Sequence, residues 1–306
     1  MDDQYPQSVE DAKEHIKTIR REKGLDGPAN NTSDLESALK ILSEQLYQKS
    51  AHFLLELVQN ADDNFYPPGS SPSLALRYEN RHLLISCNER GFSRNNVEAI
   101  CRVGRSTKSG VDKATRYIGE KGIGFKSVFK VSDVVWIKSG HYSFKFEKSR
   151  DLGMIAPIWA DLPATAQQFL RGNTTTTIYL QLSQDYDVSE LITEIKSFDA
   201  RLLIFLRQLK RLDLAVRSKD GTNWSTTIAK HDEAGGSRIT LQLGKSSMRY
   251  IIFRYTATHL PPDDKRPGVT ESELMLGFPV SESETPVLTP QYVHAFLPIR
   301  DYGFKV

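Results

Sequence analysis

Three polar side chains recur at helical spacing near residue 60. Glu56, Asn60 and Asp63 fall within about 60° of one another on a helix that turns ~100° per residue. A carboxylate can orient or deprotonate a water molecule, and an amide oxygen one turn away is a hard ligand suited to Mg²⁺. The same row is also what the solvated face of an ordinary amphipathic helix presents. The opposite side of this helix is predicted to be apolar, with Leu54, Leu57, Val58, Ala61 and Phe65.

A glycine-rich loop is the second chemical signal. Gly119, Gly122 and Gly124 follow a G-x-x-G-x-G order, and the apolar run after them predicts a helix. Glycine N–H groups next to a helix N-terminus can cradle a phosphate. A P-loop is excluded because Phe125 follows the last glycine, and a dinucleotide fingerprint is excluded because Ser127 stands where its third glycine belongs. A tight turn before a packed helix would give the same pattern.

The charge around this loop is strongly positive. Between residues 102 and 130 there are eight basic residues and two acidic ones, a local charge of +6. Such a patch suits a polyphosphate tail or a nucleic-acid backbone. Residues 104–116 are polar and rich in serine, threonine and glycine, which predicts a mobile flap. The basic residues are Arg102, Arg105, Lys108, Lys113, Arg116, Lys121, Lys126 and Lys130.

The elements that must position these residues alternate between helix and strand. Helices are predicted over 9–22, over a segment that begins near residue 34, over 51–64 and over 188–209. Two hairpins are predicted, and so are several single strands. The hairpins pair 74–78 with 82–87 and 134–138 with 142–147; the single strands are 175–182, 212–216, 238–243 and 250–255.

The composition is that of an ordinary globular chain. It has 306 residues, 39% hydrophobic and 25% charged, with a net charge of +2, which excludes disordered, collagenous and disulfide-scaffold chains. No stretch approaches the ~18–20 apolar residues of a membrane span. The N-terminus lacks a secretory signal, and two cysteines give no zinc spacing. We therefore expect an intracellular protein, cytoplasmic or nuclear, that does not bind membranes.

Taken in order, these motifs resemble the GHKL ATPase superfamily, which includes gyrase, the ninety-kilodalton heat-shock chaperone, histidine kinases and MutL. The matching segments are Glu56-x-x-x-Asn60-Ala61-x-Asp63, then residues 88–93 with 104–110, then Gly119-x-x-Gly122-x-Gly124-Phe125, and last residues 176–180. The sequence pattern of residues 53–64 and 295–298 is most similar to that of the sacsin/NO VEIN branch. This chain does not resemble a histidine kinase, because none of the seven histidines in this chain lies in an H-E-x-x-N context.

The resemblance implies an α+β Bergerat-type fold, a two-layer α/β sandwich with helices on one face of a mixed β-sheet, followed by a β-rich segment. Residues 1–33 would be an N-terminal helix and loop, and residues 34–216 a helix-rich nucleotide-binding domain. Residues 217–306 would be a transducer-like segment that starts a further domain of a longer protein.

The resemblance also implies roles for individual residues. Glu56 would be the general base, Asn60 would hold the Mg²⁺ that bridges the phosphates of ATP, and Asp63 would support that site through water. Lys108 on the flap would neutralise charge, and Thr176 would lie beside the adenine. The remaining binding set comprises Gly91 and Phe92 of the second motif and Gly119, Lys121, Gly122, Ile123, Gly124 and Phe125 of the loop.

One position departs from the family pattern. The family reads adenine with an aspartate, and alignment on Gly91 places Cys87 there, with Glu89 in place of a glycine. Asn88 could accept the adenine amine only if the strand register slipped by one residue. Loss of a buried hydrogen bond to a charged acceptor costs on the order of 1.5–3 kcal/mol, or roughly one to two decades of affinity. The departure therefore predicts weak or altered nucleotide binding.

Three functions fit these observations. The first is a chaperone-like ATPase in which Mg-ATP closes the 104–116 flap as a conformational switch, binding ATP or ADP. The second is a catalytically degenerate binding or scaffold module, and the third is a nucleic-acid-associated ATPase, which is less favoured. ATP turnover by this chain is expected to be slow, because in related proteins a basic residue from the following domain reaches the γ-phosphate. The client protein is not identified by the sequence, and a homodimer is compatible with it.

Overall fold

The structure is a computed structural model that describes residues 5–25, 52–102, 124–167, 174–218, 221–233, 235–261, 270–288, 290–295 and 297–305. Six α-helices lie in these ranges, and one 3-10 helix, Gly124–Lys130, follows the glycine-rich segment. The α-helices are α1 Val9–Glu22, α2 His52–Asp62, α3 Arg94–Ile100, α4 Ala164–Gln167, α5 Val188–Lys196 and α6 Leu202–Phe205.

Most of the strands form one large mixed sheet. Its order is β11-β10-β9-β8-β7-β1-β2-β6-β3-β4-β5, and β1 and β7 are its parallel pair. The last two strands form a separate antiparallel ribbon. The strands are β1 Ser73–Glu79, β2 His82–Cys87, β3 Ser132–Ser139, β4 Tyr142–Glu147, β5 Ile158–Trp159, β6 Thr176–Leu182, β7 Arg211–Arg217, β8 Asn223–Asp232, β9 Arg238–Leu243, β10 Ser246–Ala257, β11 Ser272–Val280, β12 Pro290–Ala295 and β13 Leu297–Lys305.

The alternation of side chains gives the sheet two different faces. In β1 every second residue is buried, from Leu74 through Leu76 to Tyr78, and the register places these opposite apolar residues of β2 and β7. The buried positions pack with α1, α2, α3, α5 and α6 in one core, and we call this side of the sheet the core face. The alternating residues, such as Arg77 and Glu79, lie on the other side, which we call the back face.

Helix α1 is held in place by both apolar and polar contacts. Ser8 caps its first turn, and Ala12, Ile16 and Ile19 are buried in the core. Asp11 accepts two hydrogen bonds of 2.6 Å from Arg94 of α3. His15 Nδ1 lies 2.7 Å from the hydroxyl of Tyr142. Burial lowers the pKa of His15 below its usual value.

The comparison with the predicted elements is mixed. Helices over 9–22 and near 51–64, both hairpins, strand 175–182 and the three later strands are confirmed to within a few residues. The predicted helix over 188–209 is wrong as one element, because it divides into α5 and α6 around a break at residues 197–201. Strands β5, β8, β11 and β12 and helices α3 and α4 were not predicted. The helix expected to begin near residue 34 lies outside the described residues.

The described residues as a whole contain more strand than helix. The helix-rich character expected of residues 34–216 stays a prediction, because residues 34–51 and 103–123 lie outside the described ranges. The fold is mixed α/β with a large mixed sheet, whereas the finer two-layer Bergerat description stays a prediction. Strands β8 to β11 continue the same sheet as β1 to β7. The predicted boundary at residue 216 therefore falls inside β7, which pairs with β8, and the division into domains stays a prediction as well.

Candidate functional site

The polar row on α2 meets the end of the glycine-rich segment. A methyl group built on Gly124 would overlap Oε2 of Glu56 and would lie 3.0 Å from its Cδ. The carboxylate of Glu56 therefore rests directly against the Cα of Gly124. Helix α2 and the 3-10 helix pack together along this contact. Two motifs separated by more than sixty residues thus meet at one point.

The three residues of the predicted row differ in their exposure. Glu56 and Asn60 are half-buried, whereas Asp63 is 4% exposed. Four residues of the predicted apolar side, Leu54, Leu57, Val58 and Ala61, are buried as expected. Phe65 is 56% exposed, so its assignment to the buried side is wrong. The reason is that α2 ends at Asp62, and helical periodicity no longer applies beyond that residue.

Asp62 anchors the end of α2 to the segment between α6 and β7. This residue is 1% exposed. Its carboxylate accepts three backbone hydrogen bonds, at 2.9 Å from Arg207 N, 2.8 Å from Gln208 N and 2.8 Å from Leu209 N. The side chain of Gln208 also donates to the carbonyls of Asp62 and Asn64. This anchor fixes the polar row relative to the sheet.

Tyr66 links α2 to the end of β2. Its hydroxyl donates to the carbonyl of Ala61 at 2.8 Å and lies 3.1 Å from Sγ of Cys87. Burial raises the pKa of the Tyr66 hydroxyl well above its usual value. Burial, with the negative charge of Glu89, raises the pKa of the Cys87 thiol to about 12. The group at the position of the family's aspartate is therefore a neutral thiol at physiological pH.

A cluster of small polar groups surrounds Cys87. Thr176 of β6 is its direct cross-strand partner, and the hydroxyl of Thr176 lies 2.6 Å from that of Ser139. Ser139 in turn accepts a hydrogen bond of 2.7 Å from the backbone N–H of Phe92. Gly91 has φ +101°, which favours glycine, and a methyl group there would come within 3.2 Å of Thr175. The structure thus brings four predicted residues together.

Asn88 is placed differently from its neighbours. Its side-chain oxygen accepts from the backbone N–H of Ser73 at 2.8 Å, and its Nδ2 donates to the carbonyl of Ser71 at 2.8 Å. Both ends of the amide are therefore engaged with the segment that leads into β1. The register of β2 keeps Cys87 opposite Leu74, so the one-residue slip that would have moved Asn88 into the cluster does not occur.

The residues after Gly124 enter the core. The ring of Phe125 packs against Phe129 and Phe146 with centroid distances of 6.4 Å. Lys126 is 4% exposed; its ammonium donates to the carbonyls of Ile100 and Met154. The expectation that Lys126 contributes to a positively charged surface patch is therefore wrong. The apolar residues that flank it in sequence carry it into the core.

The burial of Lys126 has a consequence for stability against pH. Desolvation lowers the pKa of its ammonium to about 7, so between pH 7 and pH 10.5 the unfolded chain binds more protons than the folded one. The free energy of unfolding should then rise with pH, by up to ~1.4 kcal/mol per unit for one group. Burial raises the thiol pKa of Cys101 to about 12, which acts oppositely above pH 9. Urea unfolding should therefore show a rise from pH 7 to 8.5.

The variant Lys126→Met should flatten this rise, whatever it does to the stability at pH 7. Lys17→Met is the matched control, because Lys17 is an exposed lysine on α1 paired with Glu14 at 3.3 Å. Lys230, whose pKa burial lowers to about 8, contributes in the same direction but mostly above pH 8. An unchanged slope in Lys126→Met would contradict the assignment.

Five of the predicted binding residues lie outside the described residues. These are Lys108, Gly119, Lys121, Gly122 and Ile123. The whole of the 104–116 flap prediction and five of the eight basic residues of the patch fall there too. Of the eight basic residues counted in the patch, the structure describes Arg102, Lys126 and Lys130, and Arg102 pairs with Glu98 at 2.9 Å.

The oxygen-bearing side chains of the site suit a cation that takes most of its ligands from water and phosphate. Within the described ranges, no group of three or more histidine, cysteine, aspartate or glutamate side chains is arranged to hold a metal ion. The amide oxygen of Asn60 and the neighbouring carboxylates are nevertheless hard oxygen donors of the kind that Mg²⁺ prefers. Mg²⁺ usually keeps waters and phosphate oxygens in its shell, so one or two protein ligands fit it.

Sequence reasoning missed three residues of this site. Tyr66 contacts the predicted Cys87, and Ser139 contacts the predicted Thr176 and Phe92. Asp62 instead holds the end of α2 through the backbone of residues 207–209. Ser139 directly precedes Gly140 between the two strands of a predicted hairpin. The sequence indicates the turn there, but it does not indicate which groups the Ser139 hydroxyl contacts. No helix in the described part of the chain has the length and apolar character to span a membrane.

The sequence of this chain is similar to protein NO VEIN and to HtpG chaperones. Protein NO VEIN of Arabidopsis thaliana is 31% identical over 319 aligned positions, which cover 95% of this chain and 11% of that protein. The chaperone protein HtpG of Vibrio vulnificus is 24% identical over 131 positions, covering 35% of this chain and 21% of HtpG. HtpG of Sulfurovum sp. is 21% identical over 267 positions, covering 74% and 40%.

These matches support a GHKL, HSP90-like relationship. No family model matches the chain. The chain spans about a tenth of NO VEIN and between a fifth and two fifths of the HtpG proteins. The activities of those whole proteins therefore do not transfer directly.

Proposed function

We propose that the chain is a nucleotide-binding domain in which Mg-ATP acts as a conformational switch, as in chaperone-like GHKL ATPases. The observation that carries this proposal is the contact between the Glu56 carboxylate and Gly124. It joins a candidate general base to the end of a glycine-rich segment suited to phosphate. The similarity to the HtpG chaperones supports the same conclusion.

The two ends of the site would perform different tasks. At the first end, the Glu56 carboxylate would align an attacking water, and backbone N–H groups near Gly124 would contact phosphates. At the other end, Cys87, Thr176 and Phe92 would lie around the base. The Tyr66 hydroxyl, bonded to both Ala61 and Cys87, would keep the two ends at a fixed separation.

Asn60 would contribute one oxygen ligand to Mg²⁺, and Asp63 would support it through water. When bound, Mg²⁺ neutralises phosphate charge and so favours phosphoryl transfer. Asn60 lies on α2 and Asp63 directly follows the end of this helix, which Asp62 holds in place. Hydrolysis by this chain alone is expected to be slow, as predicted from the sequence.

A scaffold module that has lost nucleotide binding is the second candidate. Cys87 favours it, because a neutral buried thiol is a poor substitute for a carboxylate acceptor. The nucleic-acid-associated alternative is weakened, because one of the eight cations on which it rested, Lys126, lies in the core.

Calorimetric titration with ATP, ADP and GTP, each with and without Mg²⁺, tests the proposal. We expect micromolar binding of ATP that depends on Mg²⁺ and weakens at least tenfold in Asn60→Ala, since the variant removes a metal ligand. Asn95→Ala is the matched control, because Asn95 is exposed on α3. Glu56→Ala should keep the affinity while lowering ATP turnover.

Three results separate the candidates. Absence of binding at millimolar nucleotide would reject the switch and favour the scaffold. Equal binding of ATP and GTP would mean that Cys87 does not select the base. Salt-dependent binding of duplex DNA that persists in saturating ATP would favour the nucleic-acid alternative, because phosphate in the site should compete for the same charges.

A further inference from the structure

The two strands at one end of the sheet present an exposed apolar surface. Strand β11 is the last strand in the sheet order, and β10 is its neighbour. The register places Phe253 opposite Leu276 and Tyr255 opposite Leu274, on the back face of the sheet. These four side chains are between 52% and 67% exposed, and we call them the apolar end patch. Adjacent exposed apolar side chains of this size mark interaction sites on proteins.

The outer edge of β11 carries backbone groups that can pair with a further strand. The chain returns along the end of this edge, where Val287 N donates to the carbonyl of Pro279 at 3.0 Å. The backbone groups of Pro279 therefore point outward. Alternate residues of a strand share one edge, so those of Glu273, Met275 and Gly277 point outward too. No strand within the described ranges pairs with these three residues, and the free edge runs from Glu273 to Gly277.

The free edge is complementary to itself. It is centred on Met275, so a two-fold axis through Met275 would pair it in antiparallel order with the same edge of a second copy. Glu273 would then lie opposite Gly277 of the second copy, which has no side chain. The two Glu273 carboxylates would be four residue positions apart, or about 13 Å. Each would keep the ion pair of 3.6 Å with Arg254 of its own chain.

The same register joins the two apolar end patches. Leu274 would lie opposite Leu276 of the second copy, and Leu276 opposite Leu274 of the second copy. Phe253 and Tyr255 flank these leucines on β10, so the exposed apolar side chains of both copies would form one continuous surface. Cross-strand apolar pairs stabilise a sheet. A register centred on Glu273 would instead place two carboxylates opposite each other, which is unfavourable.

We propose that the free edge of β11 binds a second copy of this chain and forms a two-fold symmetric dimer with a continuous sheet. The outward backbone groups would supply two hydrogen bonds in each facing pair of residues 273–277. They would fix the register, while the apolar end patches would be removed from water. Glu56 and Asn60 belong to neither β10 nor β11, so the proposal does not depend on nucleotide binding.

Sedimentation equilibrium of the unaltered chain at about 1–200 µM tests the proposal, and we expect a reversible monomer–dimer equilibrium. Leu274→Lys and Leu276→Glu should each weaken dimerisation about tenfold or more, because each charge would face a leucine of the second copy. The combination of both substitutions should dimerise about fivefold more tightly than either alone, because each lysine would then face a glutamate. Val9→Lys, at an exposed apolar position of α1, is the matched control and should leave dimerisation unchanged.

A second measurement follows the edge itself. The amide protons of Glu273, Met275 and Gly277 should exchange more slowly with solvent as the protein concentration rises. Met275→Pro should weaken dimerisation about tenfold or more, because it removes an outward N–H group that the pairing with β10 does not use. The native Pro279 occupies an equivalent outward position. Circular dichroism and urea unfolding establish that each variant is folded, and the charge variants suffice if Met275→Pro is not.

Three results would overturn the proposal. The first is a chain that stays monomeric at the highest concentration. The second is a dimer that Leu274→Lys does not weaken, because that dimer would use another surface. The third is protection of the three edge amides that does not change with protein concentration, since another segment of the same chain would then occupy the edge.

Discussion

Gly124→Ala should lower the rate of ATP turnover about 100-fold while leaving the protein folded. The added methyl group would occupy the position of Glu56 Oε2, so the carboxylate must move. Because it is the end of a flexible side chain, the fold can adapt at little cost in stability. A catalytic group displaced by roughly 1 Å can lose on the order of 100-fold in rate. Single-turnover hydrolysis with excess protein and urea unfolding measure the two quantities.

The Glu56→Ala background provides the decisive control. If the methyl group acts through Glu56, Gly124→Ala should have no further effect on turnover once the carboxylate is gone, so the two substitutions should be strongly non-additive. Gly277→Ala is a matched glycine variant, because a methyl group there would meet Ile252 at an ordinary 3.4 Å. Unchanged turnover in Gly124→Ala would reject Glu56 as the general base.

The local elements were predictable because their signals are local. The presence and the buried side of α2 follow from apolar residues at helical spacing, and the β1–β2 hairpin follows from Asn80 and Arg81 at its turn. Both turn residues have positive φ, 47° and 62°, a conformation that asparagine tolerates well. Phe65 was assigned wrongly because periodicity does not tell where a helix ends.

The long-range arrangement could not be read in the same way. The parallel pairing of β1 with β7 joins residues more than 130 positions apart, and strand pairing over such a distance leaves no pattern in either strand alone. The charge count around the glycine loop overestimated the surface charge for a related reason. The sequence shows that Lys126 is cationic, but only the packing of Phe125, Phe129 and Phe146 places it in the core.

The site itself was predicted as separate motifs, and the structure supplies their connections. Glu56 and Gly124 were both singled out, yet their contact depends on how α2 packs against the 3-10 helix. Tyr66 and Ser139 carried no motif, although each bonds a predicted residue. Side chains that connect motifs are hard to predict, because their partners are set by the whole fold.

Asp62 shows this difficulty most clearly and gives the largest expected effect on stability. Asp62 adjoins the predicted Asp63 but has a different role, because its carboxylate accepts hydrogen bonds from the three backbone N–H groups of residues 207–209. Asp62→Ala would leave these buried donors without that acceptor, and each such loss costs about 1–3 kcal/mol. We expect the free energy of unfolding to fall by roughly 3–5 kcal/mol in urea denaturation.

Asp62→Asn and Asp187→Ala separate this explanation from a general effect of removing a carboxylate. The asparagine keeps one acceptor oxygen but turns an N–H₂ group toward a donor, so about half of the loss should remain. Asp187 caps α5 through a single bond of 2.9 Å to Ser189 N, and its removal should cost only about 1 kcal/mol. Equal losses in Asp62→Ala and Asp187→Ala would show that the three backbone bonds are not what holds α2 to the sheet. Because α2 carries Glu56 and Asn60, a partly folded Asp62 variant should also lose affinity for nucleotide in proportion to its unfolded fraction.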